Sequence, residues 1–570
     1  MTFASLIHHL GGLTVSALWT VQPLRRSARP LAGRFASYIS PCTNRPKRHC
    51  LASFTGTQST RLLAGSSSHN SDSLESSVLE GPHKSARFSS TDQDTIFALS
   101  SGFTGQQATA LAVIRISGPR AHHVLAALTP GRPLPKPRFA ALRKLFHDNT
   151  MLDNALVIRF DAPNSFTGED LIELQCHGSR AVVQGLLDAL PKILDCRYAQ
   201  AGEFTQRAYS NGKLDLVQVE ALADVLTADT KAQLVQALSQ LDGNLSQRYD
   251  QWRQELISGL AHAEAVIDFG DDEQLGMDDV FDEDEGNAAQ WSVWGDVQMR
   301  IRRLQQSMQD HLHDDRRGEL VREGVKIAIV GPPNAGKSSL FNVLAQQEAA
   351  IVSEIAGTTR DVLTVSLDLG GVKCTLQDTA GVRSETSDVL ELEGIRRART
   401  AAEEADLVVA MVDATEAVLG IEIVQEVLKG KALKSQNLLL VLNKLDLLKE
   451  ALENPEKGIF GGTYEISCVT QQGIGEFLDA LKEQVLERTS NQEDNAAEGA
   501  LITRARHRQH VEAASEALQR FILLSDQGTM AVDMAAEELR LAASELGRIT
   551  GAVDVEDVLD VLFSDFCIGK

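Results

Sequence analysis

Inside the string IVGPPNAGKSSL, Gly331, four intervening residues, Gly336, Lys337 and Ser338 stand at the spacing of a phosphate-binding loop. The apolar run VKIAIV precedes it and a helix-forming stretch follows, the strand–turn–helix setting that such a loop requires. Glycines there let backbone N–H groups wrap a β-phosphate, the lysine offsets charge on the β- and γ-phosphates, and the serine hydroxyl ligates Mg²⁺. This assigns Asn334, Ala335, Gly336, Lys337, Ser338 and Ser339 to a nucleotide site. DTAG supplies Asp378, Thr379, Ala380 and Gly381, an acid for the metal side and a glycine to sense the γ-phosphate. NKLD supplies Asn443, Lys444 and Asp446, and the Asp can accept bonds from guanine N1 and N2, which adenine cannot reproduce. EISC places Ser467 and Cys468 where a contact to guanine O6 is expected. The loop SEIAGTT adds Ser353, Glu354, Ile355, Ala356, Gly357, Thr358 and Thr359, with Thr359 as the second Mg²⁺ ligand. The set predicts GTP over ATP.

One expected group is missing. Where small GTPases place a water-orienting glutamine after DTAG, this chain has Val382, and no arginine finger is evident. Charge compensation must come from elsewhere. Asn334 offers a side-chain carbonyl which, with carbonyls of SEIAGTT and phosphate oxygens, could cage a monovalent cation.

These residues need a scaffold. The runs VKIAIV, VKCTLQ, LVVAMVDA and NLLLVLNK read as parallel strands buried on both faces, alternating with helices, so residues 323–488 form a doubly wound, mostly parallel α/β unit. Residues 91–212 mix short β-like runs with turns, an α+β domain. Residues 213–322 and 489–570 are helical, interrupted by the acidic run Asp268–Gly286 and the linker Ser490–Gly499. The architecture predicted is multidomain α+β, with the two helical parts packed together and the α/β unit inserted between them.

At the N-terminal end, residues 1–90 read as an organellar leader: every Lys or Arg before Asp72 stands without an acid, among many Ser, Ala and Leu. Leu10–Trp19 is apolar but too short to span a bilayer, and no stable membrane insertion is expected. The whole chain carries a net charge of −23, so RNA could be held only through a local basic patch. TRARHRQH (Thr503–His510) is one candidate, with Arg504 and Arg508 four apart on a predicted helix; a solvated helix start is the commoner meaning. The seven cysteines show no zinc-like pairing, and most read as small core residues. Cys567, three residues before the terminal Lys570, does not fit a prenylation signal, because Gly569 and Lys570 follow where aliphatic residues are preferred.

With DTIFALSS, VIRISGP, NSFTGEDLIELQCHG, AGEFTQRAYSNGKLDLVQVEALADVL, IAGTTRD and the terminal FCIGK added to the nucleotide motifs, nearly everything after about Thr91 resembles the MnmE (TrmE) family of tRNA-modification GTPases. The resemblance implies a homodimer held by the N-terminal domain, K⁺-activated GTP hydrolysis, and an FAD-dependent MnmG-type partner in a heterotetramer or larger complex. It implies modification of C5 of the wobble uridine of mitochondrial tRNA in the matrix, with 5,10-methylene-tetrahydrofolate as one-carbon source and 5-formyl-tetrahydrofolate as an analogue. The added group, carboxymethylaminomethyl or taurinomethyl, stays open. Carried over by motif, K⁺ would be held by Asn334, Ser353, Ile355 and Thr358, and folate by Arg115, Glu173, Lys213 and Lys570. A Glu that orients the attacking water falls on Glu391, or on Glu393 if one extra residue precedes Gly394. Cys567 would lie within a turn of the folate, catalytic or structural. A second reading, a GTP-dependent mitochondrial ribosome assembly factor, shares the nucleotide motifs but has no use for the folate motifs or FCIGK.

Overall fold

The computed structural model describes residues 94–101, 109–193, 196–269, 293–347, 349–351, 364–378, 389–429, 437–448, 460–489, 501–527 and 531–553, with Val558, Leu559, Leu562, Phe563, Phe566 and Gly569. The leader, residues 270–286 of the acidic run, Ser353–Thr359, Thr379–Gly381, Val382, Cys567 and Lys570 lie outside them.

The N-terminal domain contains a six-stranded sheet in the order β3-β4-β5-β2-β1-β6, built from β1 (Thr95–Leu99), β2 (Leu111–Ser117), β3 (Ala141–His147), β4 (Thr150–Phe160), β5 (Leu171–His177) and β6 (Cys196–Tyr198). Only β1 and β6 pair in parallel. Strands β2 and β5 alternate buried with half-exposed residues, the signature of a sheet with one face on the core. Ile114, Ile116, Ile172 and Leu174 point into the core with Val124 and Leu125 of α1 (Ala121–Leu128) and Leu186 of α2 (Arg180–Ala189). Arg115 and Glu173 therefore fall on the other face.

Helix α3 (Glu203–Ser210) leads into the helical region: α4 (Leu216–Thr227), α5 (Lys231–Leu241), α6 (Asn244–Phe269), α7 (Val293–Leu312) and α8 (Arg317–Glu323). The starts of α4 and α5 are fixed by capping boxes, Asp215 with Gln218 and Thr230 with Gln233. The inserted unit holds a seven-stranded sheet ordered β13-β12-β11-β7-β10-β9-β8. Its elements in chain order are β7 (Val325–Val330), α9 (Lys337–Ala345), β8 (Ala350–Ile351), β9 (Thr364–Leu369), β10 (Val372–Asp378), α10 (Val389–Glu404), β11 (Leu407–Asp413), α11 (Ala417–Val427), β12 (Leu438–Asn443), β13 (Gly462–Glu465) and α12 (Ile474–Thr489). Strands β13, β12, β11, β7 and β10 run parallel, and β9 and β8 form an antiparallel edge. Leu340 and Phe477 cover one face, Ala402 and Val424 the other.

One strand departs from expectation. VKCTLQ is not buried on both faces: Lys373, Thr375 and Gln377 are half-exposed, because β10 leads into the antiparallel edge. The turn of that edge is docked on the helical region, where Ala232 N–H donates to Gly371 O at 3.1 Å and Lys373 Nζ meets Asp229 Oδ2 at 2.6 Å.

After the insertion, α13 (Ala505–Ser525) and α14 (Val532–Thr550) return to the helical region. They share one core with α6 and α7, built around Tyr249, Leu256, Ile301, Met308, Phe521, Leu539 and Leu546. The two helical parts thus make one domain, as the sequence predicts.

Candidate functional site

The phosphate loop lies outside the carboxyl end of β7, between two strands. Gly331 leaves that strand so close to β11 that a Cβ would stand 1.9 Å from Met411 O. Asn334 adopts φ 62° and Gly336 φ 102°; a Cβ on Gly336 would stand 2.2 Å from Asn443 Nδ2. Lys337 opens α9, so its backbone sits at the positive end of the helix dipole. Its ammonium donates to the carbonyls of Gly331 and Pro332 at 2.9 and 2.8 Å.

The base-side residues are each held by a separate partner. Asn443, the last residue of β12, donates from Nδ2 to Ala335 O at 2.9 Å and accepts from Cys468 N–H at 3.2 Å, stapling the phosphate loop to the 467–468 loop. Ser467 Oγ donates to Asp446 Oδ1 at 2.6 Å and accepts from Thr470 N–H at 3.1 Å, which fixes the orientation of that carboxylate. Burial, then the nearby charge of Asp446, pushes the Cys468 thiol up to about 11, so it stays neutral there. Lys444 leaves β12 at φ 70°.

Together these groups enclose a cleft of about 540 Å³ lined by Asn334, Gly336, Lys337, Ser338, Ser339, Asn443, Lys444, Asp446 and Cys468. Ala335 contributes its carbonyl from just beneath. The sequence reading missed Pro333, Leu447 and Val469, which also line it. Leu447 and Val469 are 58% and 82% exposed at its rim, apolar surface suited to the face of a purine. Nothing in their local pattern marks them. Asp378 closes β10 in register with Ile329, two residues before Gly331, so the strand carrying DTAG ends beside the phosphate loop. The backbones of Glu391 and Glu393 lie in the first turns of α10.

A second constellation lies on the outer face of the N-terminal sheet. Arg115 and Glu173 are cross-strand neighbours, with Nε to Oε1 at 3.0 Å, and the guanidinium lies 5.5 Å over the ring of Phe166. Lys213 is exposed just after α3, where Asn211 donates to Thr167 O at 2.7 Å and ties that segment to the loop bearing Phe166. The C-terminal tail is brought to the same domain. Phe563 packs against Gly202, Phe566 is buried with Leu216 and Val219, and Gly569 lies so close to β1 that a Cβ would stand 2.4 Å from Leu99 O. Leu99 is adjacent to Ala98, the register partner of Arg115.

The TRARHRQH patch is corrected. Arg504 is the N-cap of α13 and pairs with Asp224 at 2.8 Å, Arg506 with Glu220 at 3.1 Å, and Arg508 with Asp314 and Glu319 at 2.6 and 2.7 Å. Acids from α4 and the α7–α8 region take up these cations inside the fold. The sequence shows the cations together but not the acids, which lie hundreds of positions away.

A glycine-rich loop at a helix start, a cleft lined by Asn443, Lys444 and Asp446, and a Ras-like sheet inserted in a helical domain define a GTPase. A family model described as the MnmE helical domain matches residues 216–567, and one described as the GTP-binding protein TrmE N-terminus matches residues 95–213. The tRNA modification GTPase MnmE of Parvibaculum lavamentivorans is 48% identical over 479 residues, 84% of this chain and 100% of that protein. The human mitochondrial 5-taurinomethyluridine-[tRNA] synthase subunit GTPB3 is 43% identical over 485 residues, 84% of this chain and 93% of that one. Among solved structures, the G domain of the T. maritima FeoB iron transporter is 26% identical, covering 29% of this chain and 99% of that one with a TM-score of 0.22. The chain belongs to the MnmE/TrmE family of tRNA-modification GTPases, and it hydrolyses GTP in the service of tRNA modification.

Proposed function

We propose that this protein is the mitochondrial GTPase that, as a homodimer with an FAD-dependent MnmG-type partner, modifies C5 of the wobble uridine of mitochondrial tRNAs. The observation that carries this reading is the meeting of the C-terminal tail with the N-terminal sheet: Gly569 against Leu99, one residue from the strand position paired with Arg115. A ribosome assembly factor needs no such meeting. A tetrahydrofolate does, since a carboxylate suits the N–H edge of a pterin and cations suit a glutamate tail. Glu173, Arg115 and Lys213, with Lys570 just beyond Gly569, are the residues that would hold it; bound there, it supplies the one-carbon unit. Cys567 would lie on the same short tail, as a reactive thiol or as a clamp.

For GTP turnover, the phosphate loop offers its N–H groups and Lys337 offsets phosphate charge. Ser338 lines the cleft one residue after Lys337, where its hydroxyl would hold Mg²⁺ together with Thr359. Asn334 lines the same cleft and would hold K⁺ with Ser353, Ile355 and Thr358, supplying the positive charge that an arginine finger gives other GTPases. Glu391, or Glu393 two residues on, orients the water that Val382 cannot. The mitochondrial assignment is supported by GTPB3 relatives and by the basic leader, which carries no acid before Asp72. Among the described residues no helix is long and apolar enough to cross a membrane.

Mass spectrometry of nucleosides from mitochondrial tRNA, with and without this protein, tests the proposal. Loss of a C5-modified wobble uridine supports it and identifies the added group. An unchanged profile overturns it and makes ribosome assembly the leading reading.

A further inference from the structure

Lys444 stands in a conformation that lysine rarely adopts, φ 70°, at the step where the chain leaves β12. Its side chain lines the nucleotide cleft, and its ammonium lies 2.6 Å from Oδ2 of Asp413. Asp413 ends β11 in register with Asn443, so the pair bridges the carboxyl ends of two adjacent parallel strands. The carboxylate is itself fixed, since Oδ1 accepts from Thr415 N–H at 3.0 Å and from Thr415 Oγ1–H at 2.7 Å. Burial alone would raise the Asp413 carboxyl, but Lys444 and Thr415 outweigh it and hold it below the usual carboxylate range.

We propose that Asp413 is a positioning residue for the guanine nucleotide, acting through Lys444. A lysine stem has four rotatable bonds, and ordering it when nucleotide arrives would cost affinity. With its ammonium tied to a carboxylate that cannot turn, the methylene stem is already laid along the cleft wall near Leu447, and the purine meets a formed surface. The competing account makes the pair a clamp between β11 and β12. Both side chains are partly exposed, at 30% and 21%, so as a clamp alone it would contribute little to stability. The two strands are in any case paired over six positions.

The test uses the full chain and a fluorescent GDP analogue. Asp413→Asn keeps the shape and removes the charge; the dissociation rate should rise about three- to five-fold, the upper scale of one partly exposed ion pair. The loss should fall on KM for GTP more than on kcat, and Asp413→Glu should recover most of it. In a Lys444→Ala background, Asp413→Asn should add nothing, because the effect has to pass through the lysine. Thr415→Ala, which removes the hydroxyl bond to Oδ1 but keeps the backbone N–H bond and the charge, should give a smaller rise in the same rate. An unchanged dissociation rate in Asp413→Asn, or an equal rise with Lys444 already removed, overturns the proposal. So does a fall in thermal stability with KM unmoved, which would mark a clamp.

Discussion

Nε2 of His507 lies 2.7 Å from Oε2 of Glu220, joining residues 287 positions apart. Both side chains are buried, at 0% and 5% exposure, and Arg504 and Arg506 close on the same carboxylate. Burial holds the imidazole below its usual range, so it is neutral and donates Nε2–H to Glu220. Its Nδ1, which has no hydrogen-bond partner among the described residues, is then an acceptor rather than a stranded N–H. Burial pushes the Glu220 carboxyl up, but His507 and the arginines outweigh it and bring it down to about 2. This cluster joins the helical segments before and after the inserted GTPase domain.

Removing Glu220 leaves the Arg506 guanidinium and His507 without their acid, while Arg504 keeps Asp224. Glu220→Ala should therefore destabilise the helical domain by about 3–5 kcal/mol. Because the folded carboxyl titrates near 2 and the unfolded one near 4.5, its contribution is complete above about pH 4.5 and fades as the pH falls toward 2. Thermal melts of the wild type from pH 7 to pH 3 should fall more steeply than those of the variant; parallel curves would show that the carboxylate contributes nothing.

The φ of 102° at Gly336, with Asn443 Nδ2 where a Cβ would stand, leaves no room for alanine. Gly336→Ala should break the bond from Asn443 to Ala335 O and strain the loop, weakening GTP binding roughly 100-fold. Titration of the nucleotide reads this directly, and an intact affinity would mean that the loop adjusts around the methyl group.

Water positioning is expected of Glu391. Glu391→Ala should abolish hydrolysis while GTP affinity stays nearly unchanged, measured by single-turnover kinetics and nucleotide titration. If turnover persists and Glu393→Ala stops it, the role lies two residues on.

Replacing K⁺ by Na⁺ at constant ionic strength should slow hydrolysis sharply, since the smaller ion would fit the proposed K⁺ cage poorly. Equal rates in the two salts would remove Asn334 from cation binding.

On the N-terminal sheet, Glu173→Gln keeps the size of the side chain and removes the charge that pairs with Arg115. It should weaken binding of 5-formyl-tetrahydrofolate about ten-fold, the scale of a lost charged hydrogen bond, and leave GTP turnover intact. Calorimetry with the folate analogue checks it; unaltered binding would place the pterin elsewhere.

Most of the lining of the candidate nucleotide cleft was legible in the sequence because GPPNAGKS and NKLD are short and each sits at the end of a strand. Spacing within GPPNAGKS or NKLD fixes which backbone groups and side chains converge once the strands are laid parallel. The fold class was legible for a related reason, since unbroken apolar runs such as LLLVLN have few uses besides a strand buried on both faces. What the sequence could not order was contact between distant segments. It offered Thr503–His510 as basic surface, and only packing α13 on α4 turned those arginines inward to Glu220 and Asp224. It gave no reason to connect Asp413 with Lys444, because neighbouring parallel strands are separated in the chain by a crossover. Nor could it bring Gly569 to Leu99, a closure made by packing Phe563 and Phe566 under α3 and α4. Local chemistry follows from residues a few positions apart, whereas the partner of each charge is chosen by which helices and strands can bury their apolar faces together.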